Sequence, residues 1–462
     1  MKAFDDQAPP GSKEVANAPP AAGARPGPVA GRVRWLVCGL LFAAGALSYV
    51  DRQVLSVLKP TLQADYGWSE TGYADIAFWF QAAYGAGYIA FGRIVDRIGA
   101  RAGYALAVSL WTVGHMACAF VTSTAGFALA RAPVALGESG SYPSALAAVA
   151  DWFPRRERAL AIGVLTASSN VGAILAPLIV PVIALTLGWR MAFIITGLFT
   201  IVWLFVWLRF YRRPREDARV TDEELALIES DRAPAEAPAP WAWLLRQRAT
   251  WAYVAGRFLI DPIWWTFLFW LPDFFGKRYG VDLKGFGPPL VAVYVLADVG
   301  SIAGGWGSSA LLGRGVRLNT ARKTVMLVCA LAVVPVGFAV QAPSVWVAVG
   351  LIGLACAGHQ GFSANLFALP SDIFPRGTAG SVVGLGGASG ALGGMLMAKY
   401  AGWVLQTLGS YTPIFVVAAC AYLAALLVVH LLTPRYAPTV FAVPRTLEAR
   451  IGMDRRPADP RV

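Results

Sequence analysis

The sequence has few charged residues for its length. Asp, Glu, Lys and Arg make up 14% of the 462 residues, whereas water-soluble domains carry about 25%. Hydrophobic residues make up 57%, and the mean hydropathy is +0.55. The apolar residues are gathered in runs of about 20, long enough to cross a hydrocarbon core of roughly 30 Å. This pattern excludes a water-soluble globular protein and predicts an integral membrane protein.

The sequence also lacks a disulfide framework and a CxxC metal pattern. Its cysteines all fall inside apolar runs, so we interpret them as small packing residues. We find no nucleotide-phosphate loop and no His/Asp catalytic pair at a membrane face. The glycine-rich stretch "GLGGASGALGG" lies within a predicted helix without a preceding strand, which is a weak dinucleotide signal. We therefore expect no enzyme activity, no metal and no cofactor.

Nucleic acid is not the expected partner, although the formal net charge is +12. The basic residues crowd segments that share one side of a membrane: Arg97 and Arg101; Arg155, Arg156 and Arg158; 209–219; 314–323; Arg376; and the C-terminal tail. Loops on the other side at 123–124, 342–343 and 405–411 carry no Lys or Arg, and 276–287 is an exception. This positive-inside pattern predicts that both termini are cytoplasmic.

Twelve apolar runs are predicted to span the membrane. They cover about 34–58, 72–94, 102–122, 125–150, 158–185, 190–211, 250–275, 288–312, 323–341, 344–370, 378–404 and 412–433. The predicted organisation is a disordered cytoplasmic tail at 1–32, a six-helix bundle at 33–211, a cytoplasmic linker at 212–249, a second bundle at 250–433 and a cytoplasmic tail at 434–462. Thr221 and Glu224 have the spacing of a capping box, which predicts a short helix in the linker.

The two groups of six spans are repeats of each other. "DWFPRRERALAIGVLTASSNVGA" from Asp151 and "DIFPRGTAGSVVGLGGASGALGG" from Asp372 align without a gap. The offset pairs Ser168 with Ser389. Parallel six-helix repeats of this kind place a substrate site at their interface, near the middle of the membrane.

One loop resembles a family signature. The sequence "GRIVDRIGAR" between spans two and three is similar to the G-x-x-x-D-R-x-G-x-[RK] loop of the major facilitator superfamily. The resemblance implies an all-α membrane protein with the major-facilitator fold, twelve transmembrane helices in two pseudo-symmetric bundles. It also implies a gating role for the loop residues Gly92, Asp96, Arg97, Gly99 and Arg101.

The resemblance extends from about residue 34 to residue 434. "YVDRQ", "RAPVALGESGSYPSALAAVADWFPRRERALAIG" and "GHQGFSANLFALPSDIFP" resemble the anion:cation symporter branch, and within it the bacterial transporters of hexuronates and related sugar acids. Transporters of galactonate, glucarate, phosphate and glutamate belong to the same branch. Relatives of the galactonate type have a glutamine where Ser168 stands, which argues against a galactonate pocket.

Four charged residues lie inside predicted spans, where a charge costs several kcal/mol unless it faces away from lipid. Asp51 and Arg52 lie in span one, and Arg131 and Glu138 in span four. The last two share a helix face about 10 Å apart. Arg52 and Arg131 lie at similar distances from the outer ends of antiparallel spans, so all four are expected to form one cluster. A salt-bridge network that only orients helices is the alternative.

Arginine suits a carboxylated substrate because its planar fork binds a carboxylate through two hydrogen bonds. A substrate anion on an arginine frees that arginine's carboxylate partner to hold a proton, which couples the two fluxes. The resemblance implies substrate binding and gating for Arg52 and Arg131, and proton coupling for Asp51 and Glu138.

Further side chains are candidates for contact with sugar hydroxyls or a sugar face. They are Tyr49, Tyr84, Ser168, Asn170, Trp264, Gln360, Asn365 and Ser389. Each has a plainer alternative: serines allow close helix approach, and most tryptophans are lipid-facing or interfacial. Arg257 and Asp261 can pair with each other, His359 fits a structural role, and Asp298 has no assignable role.

The predicted function is import of a hexuronate or similar sugar acid by proton symport through alternating access, in the bacterial inner membrane. The expected partners are the organic anion, protons and the lipid bilayer, and we expect a monomer. The alternatives within transport are an aldonate, glucarate, an aromatic acid or phosphate as substrate, or sodium as the coupling ion. A membrane enzyme lacks a catalytic motif here, and a nutrient sensor lacks a signalling domain.

Overall fold

The computed structural model describes residues 33–230 and 240–436, and this part of the chain is helical without strands. The predicted tail at 1–32, most of the predicted tail at 434–462 and residues 231–239 of the linker lie outside the described residues. The α-helices are α1 Val33–Tyr66, α2 Glu70–Ala117, α3 Thr124–Trp152, α4 Arg155–Leu187, α5 Trp189–Phe210, α6 Asp222–Glu229, α7 Trp241–Arg246, α8 Arg248–Tyr279, α9 Gly287–Gly313, α10 Leu318–Val333, α11 Val345–Ile373, α12 Arg376–Leu408 and α13 Thr412–Leu432.

Helix α2 contains two spans. Its backbone leaves the helical conformation at Gly99, with φ 78° and ψ 168°. A side chain strains the backbone at such a positive φ, so glycine is the residue that permits the turn. Short 3₁₀ segments at 118–120 and 334–341 extend α2 and α10. With α2 counted twice and the short α6 and α7 left out, the described helices make twelve spans, as predicted.

Nine helical segments of the described chain are long and apolar enough to cross a membrane by length and composition alone, one of them being 70–120 with its two spans. The two long helices outside this set are α3 and α8. They carry the intramembrane charges Arg131, Glu138, Arg257 and Asp261. Their lower hydropathy therefore reflects charges that face the protein interior.

Glycines allow neighbouring helices to touch through their backbones. A β-carbon on Gly304 of α9 would lie 2.3 Å from the α-carbon of Gly361 in α11. One on Gly300 would lie 2.2 Å from the carbonyl oxygen of Ala357. Small residues at such contacts bring backbones together, which drives helix association where the hydrophobic effect between helices is absent.

The linker begins with a helix that docks on the first half. The hydroxyl of Thr221 accepts a hydrogen bond from the Glu224 amide at 3.2 Å and caps α6. The Glu224 side chain does not complete the capping box, because its Oε1 accepts hydrogen bonds at 3.2 Å from the amide and from Nη1 of Arg34. Arg34 also pairs with Glu157 at 3.0 Å. These bonds attach α6 to the starts of α1 and α4.

The two six-helix halves are joined by ion pairs at one end of the bundle. We call this the distal end; it carries the connections 67–69, 121–123, 188, 280–286, 342–344 and 409–411, and the opposite, proximal end carries the linker. Lys59 of the first half lies 2.8 Å from Glu70 and 2.9 Å from Asp273 of the second half. Lys277 contacts the same two carboxylates. Tyr411 donates a hydrogen bond to Asp273.

The centre of this distal network is buried, since Lys59 is 0% and Asp273 2% exposed. A second pair, Lys399 with Asp75, also crosses between the halves at this end. The distal end is therefore closed by charges contributed from both halves.

We predict that Gly304→Ala destabilises the protein by about 1–3 kcal/mol, because the added β-carbon overpacks a backbone contact. The matched control is Gly305→Ala, where no atom lies within 4 Å of the added β-carbon. Thermal unfolding in detergent should give a lower midpoint for the first variant only. Equal midpoints would show that α9 and α11 are not in backbone contact.

We predict that Lys59→Gln opens the distal end, because Glu70 and Asp273 then repel each other across the halves with only Lys277 between them. The measurement is the maleimide labelling rate of Leu55→Cys, which lines a cavity below the network, in protein without its native cysteines. Labelling should accelerate by roughly tenfold or more. Arg215→Gln is the control, since its exposed pair with Glu229 lies on the linker, and a rate unchanged by Lys59→Gln would contradict the closing role.

Candidate functional site

The polar centre of the molecule begins in the middle of α1. Asp51, Arg52 and Gln53 are consecutive and buried. Successive side chains on a helix point about 100° apart, so these three face different neighbours. Arg52 faces α3, Asp51 faces α2 and α5, and Gln53 faces α4 and α9.

Arg52 forms a buried ion pair with Glu138. Its Nε and Nη2 both lie 2.7 Å from Glu138 Oε2. Nη2 also donates to the Tyr84 hydroxyl at 3.3 Å. The guanidinium lies 4.6 Å from the ring centre of Tyr49, 5.1 Å from that of Tyr84 and 4.9 Å from that of Trp265. Three aromatic rings thus surround the Arg52 guanidinium, and cation–π contacts with these rings stabilise its position.

Arg131 has no carboxylate partner among the described residues. It is 1% exposed, and its Nη2 donates a long hydrogen bond, 3.4 Å, to the backbone oxygen of Arg52. Its guanidinium lies 4.5 Å from the ring centre of Phe80. Nη1 of Arg131 and Oε1 of Glu138 are buried and have no hydrogen-bond partner in the described chain. The site therefore holds two arginines and one carboxylate. One guanidinium nitrogen and one carboxylate oxygen remain without a hydrogen-bond partner in the described chain.

A narrow cavity lies between the two arginines and spans both halves. Its lining residues are Arg52, Leu55, Tyr73, Ile76, Ala77, Phe80, Arg131 and Phe269, the last from the second half. The cavity ends below the distal network. The cavity therefore brings both arginines and an aromatic side chain of the second half to one place.

The predicted end of the first span is short by about two turns. Helix α1 continues to Tyr66 rather than stopping near 58. Arg52 pairs with Glu138, and Arg131 lies about two turns nearer the distal end of α3 than Glu138 does. The long Arg131 side chain still reaches the Arg52 backbone.

Asp51 does not belong to the predicted four-residue cluster. Its Oδ1 lies 3.3 Å from Nε2 of His115, and its Oδ2 accepts a hydrogen bond from Thr200 at 3.0 Å. It is 0% exposed and faces the interior of the first half. The reason is the turn of about 100° between adjacent helical residues, which sends Asp51 and Arg52 to different neighbours.

Polar side chains also meet between the halves. Gln360 of α11 donates to Asn170 of α4 at 3.4 Å. Tyr294 of α9 donates to Oε1 of Gln53 at 3.2 Å, while Gln53 donates to the Ala173 oxygen at 3.3 Å. The first contact brings the predicted residues Asn170 and Gln360 together across the interface, and the second joins α9 to α1.

Three predicted substrate contacts lie elsewhere. Ser168 donates to the Leu165 oxygen at 2.5 Å and packs on α1, where a β-carbon on Gly45 would clash with it. Ser389 lies 2.9 Å from the Val254 oxygen of α8. Ser168 and Ser389 thus occupy equivalent positions in the two halves. Each packs against a helix of its own half, so the two do not line opposite walls of a substrate site.

Asn365 is the third correction. It is 0% exposed and donates to the backbone oxygens of Gly304 at 3.1 Å and Gly361 at 2.9 Å. Both oxygens belong to the tight α9–α11 contact. The amide satisfies backbone groups there, so it faces away from the interface between the halves.

The two adjacent tryptophans of α8 have different neighbours. Trp265 packs on Arg52, whereas the predicted Trp264 stacks on His359 with ring centres 5.0 Å apart. His359 also contacts the Tyr422 hydroxyl at 2.6 Å. Trp265 is therefore the better candidate for substrate contact.

The remaining intramembrane charges divide into a pair and a lone group. Arg257 and Asp261 pair with each other at 2.6 Å, next to Tyr253. Asp298 keeps a buried Oδ1 without a hydrogen-bond partner in the described chain.

The predicted gating loop lies at the proximal end. Gly99 makes the turn, and Asp96 and Arg97 are exposed. Arg101 donates to the Leu208 backbone oxygen, and its own oxygen accepts from Trp207 at 3.1 Å. Gly92 lies one turn before Asp96. A surface cleft includes Asp96 and Gly99 together with linker residues.

Sequence reasoning missed His115 and the distal residues Lys59 and Asp273. The signal for His115 was available, because the chain has three histidines and this one lies inside a predicted span. The distal residues gave no comparable signal. They lie near predicted span ends, where charges are ordinary.

Comparison with known proteins identifies the family. The model of the Major Facilitator Superfamily matches residues 41–398. A "Hexuronate transporter" of Escherichia coli (strain K12) is 33% identical over 404 residues, covering 86% of this chain and 93% of the relative. A "Galacturonate transporter" of Dickeya chrysanthemi is 34% identical over 279 residues, covering 59% of this chain and 81% of the relative.

A solved structure supports the fold. The bacterial homolog of the human lysosomal transporter Spinster has a TM-score of 0.66 with 17% identity, covering 88% of this chain and 96% of that chain. The expected fold of twelve transmembrane helices in two six-helix bundles is confirmed. The chain belongs to the major facilitator superfamily and is a multi-pass membrane transporter, not an enzyme.

Proposed function

We propose that this protein transports a hexuronate or a related sugar-acid anion. The observation that carries the proposal is the buried group of Arg52, Arg131 and Glu138 between the two halves. This group has a positive formal charge, because two arginines face one glutamate and Asp51 faces α2 and α5 instead. A buried cation without a partner is costly in a membrane, so Arg131 is best explained by an anion that binds there.

The surroundings of the arginines suit a sugar acid. A carboxylate can take two hydrogen bonds from a guanidinium, and the C–H face of a sugar ring packs on aromatic rings. Tyr49, Tyr84 and Trp265 supply the rings beside Arg52. Asn170 and Gln360 supply amide groups at the interface for hydroxyls. The relatives named for hexuronate and galacturonate transport support this substrate class.

The Arg52–Glu138 pair supports coupling by proton symport. When a substrate carboxylate takes hydrogen bonds from Arg52, Glu138 loses its counter-charge in a dry site and binds a proton. Release of the substrate restores the pair and expels the proton. The two fluxes are therefore coupled through one guanidinium, and Asp51 provides a second carboxylate in the same half.

Alternating access requires that the distal network break when the site opens at that end. Lys59, Glu70, Asp273 and Lys277 come from both halves, so rocking of one half against the other separates them. We place the protein in a bacterial inner membrane with its proximal end in the cytoplasm. The basic segments of the sequence support this orientation.

The decisive experiment is counterflow of labelled glucuronate in proteoliposomes. Uptake into vesicles preloaded with unlabelled glucuronate tests the substrate, and a pH gradient compared with a sodium gradient tests the coupling ion. A thermal-shift screen against sugar acids, glucarate, aromatic acids and phosphate identifies a better ligand, since bound ligand stabilises the folded state. Absence of counterflow with every sugar acid would contradict the proposal.

We predict that Arg131→Lys weakens substrate binding by about 1–3 kcal/mol, because the ammonium keeps the charge but loses the planar fork. Arg52→Lys should weaken binding similarly. The control is Arg257→Lys, a buried arginine already paired with Asp261. The measurement is the half-saturating concentration for counterflow, and normal affinity in Arg131→Lys would remove Arg131 from the site.

We predict that Glu138→Gln retains counterflow but loses accumulation driven by a pH gradient, because the amide keeps the shape and cannot bind or release a proton. Asp51→Asn should behave similarly or lose activity. Paired counterflow and pH-driven uptake in the same vesicles provide the measurement. If both variants still concentrate substrate, another group carries the proton.

A further inference from the structure

A buried glutamine lies in the contact between the two halves. Gln81 of α2 is 0% exposed, and its side-chain oxygen and nitrogen have no hydrogen-bond partner in the described chain. A β-carbon on Gly394 of α12 would lie 3.0 Å from Gln81 Cδ and 3.1 Å from Nε2, so the amide packs directly on the second half. Buried polar groups are nearly always hydrogen-bonded, so an amide with neither atom paired needs an explanation. Nothing in the substrate proposal uses Gln81.

Gln81 belongs to a continuous contact of α2 with α12. Residues of the two helices meet in pairs and in antiparallel order. The pairs are Ala74 with Gly402, Gln81 with Gly394, Gly85 with Ala391 and Tyr88 with Gly387. We call this contact the α2–α12 seam, and it extends over about 21 Å at 1.5 Å per residue. It continues to the distal end, where Gln406 accepts a hydrogen bond from the Glu70 amide at 3.1 Å.

The α2–α12 seam parts toward the proximal end. Gly92 and Gly384 would form the next pair in the same register. A β-carbon added to either residue meets no atom of a neighbouring helix within 4 Å. The two helices therefore diverge beyond Tyr88. Gln81 lies in the part of the seam that is closed, on the same side as the distal network.

We propose that Gln81 destabilises the closed seam and thereby sets how readily the distal end opens. While the seam is closed, the amide lacks the hydrogen bonds that water gives it and receives none from its neighbours. When the seam parts at this level, the amide faces the opened path and regains hydrogen bonds from water. The unfavourable free energy arises in only one of the two arrangements, so it shifts the equilibrium between them. The inference rests on the proposed alternating access, and it adds a residue that sets the balance of the two arrangements.

The surroundings of Gln81 agree with this role. The neighbouring pairs of the seam are formed mainly by glycine and alanine, which pack without a polar side chain. An apolar side chain of the same length would fill the space of Gln81, so packing does not require an amide. The preceding residue, Phe80, lines the cavity and lies 4.5 Å from the Arg131 guanidinium. Gln81 is therefore placed where the distal path reaches the substrate site.

The test is a distance measurement between spin labels at the distal ends of the two halves. The labels are placed on Thr122→Cys and Thr407→Cys, both exposed positions, in full-length protein without its native cysteines, in nanodiscs without substrate. Opening of the distal end lengthens this distance, so double electron–electron resonance reports the closed and open populations. Gln81→Met keeps the length of the side chain and removes the amide. The ratio of closed to open molecules should rise by about tenfold.

Two further variants make the result specific to the amide. Gln81→Asn keeps an unpaired amide on a shorter side chain, so its closed population should not exceed that of the wild type. Thr112→Val is the matched control in the second span of α2, outside the seam. It removes a buried hydroxyl that donates to the Val108 backbone oxygen at 2.7 Å, and it should leave the distances unchanged.

Three outcomes would overturn the inference. They are an unchanged ratio in Gln81→Met, a shift of Gln81→Met toward the open population, or an equal rise of the closed population in Gln81→Asn. The first would show that bound water already satisfies the amide in the closed seam. The labels report conformation without substrate. The experiment can therefore fail while sugar-acid counterflow is found, and succeed even if the transported anion is a different one.

Discussion

Three consecutive polar residues in a membrane-spanning helix impose the main constraint on this protein. Asp51, Arg52 and Gln53 cannot share a partner, because a helix turns them about 100° apart. None can face lipid at an acceptable free energy. Helix α1 must therefore be surrounded by protein at this level, and each neighbour must offer a complementary group. Glu138 does so for Arg52, and Thr200 does so for Asp51.

Under the proposed function, this arrangement separates two binding tasks within the first half. The arginines lie on the side of α1 that faces the cavity, where Phe269 of the second half also contributes. Asp51 lies on the side that faces α2 and α5. The proposed anion and the proposed proton would therefore bind at separate places and still influence each other. Burial strengthens that influence, since charges in a low dielectric interact over longer distances.

The second half contributes contacts that close the distal end and line the interface, and it adds no charge to the group of Arg52, Arg131 and Glu138. Asp273 and Lys277 complete the distal network, and Gln360 meets Asn170 at the interface. Its own intramembrane pair, Arg257 with Asp261, is self-contained. Contacts of this kind are made of discrete ion pairs and hydrogen bonds, which form or break as units. They suit a protein that alternates between two packed arrangements of rigid halves.

The sequence alone determined the membrane class, the twelve spans and the repeat, because these depend on local hydropathy and on residue order. It also marked Arg52, Arg131 and Glu138, since charges in apolar runs need no structure to be noticed. Only the tertiary structure decided which charges meet. Asp51 turned to His115, and Asn365 to the backbone of a glycine contact. Such choices depend on helix rotation and on the length of each helix beyond its apolar run, and neither is encoded in residue spacing.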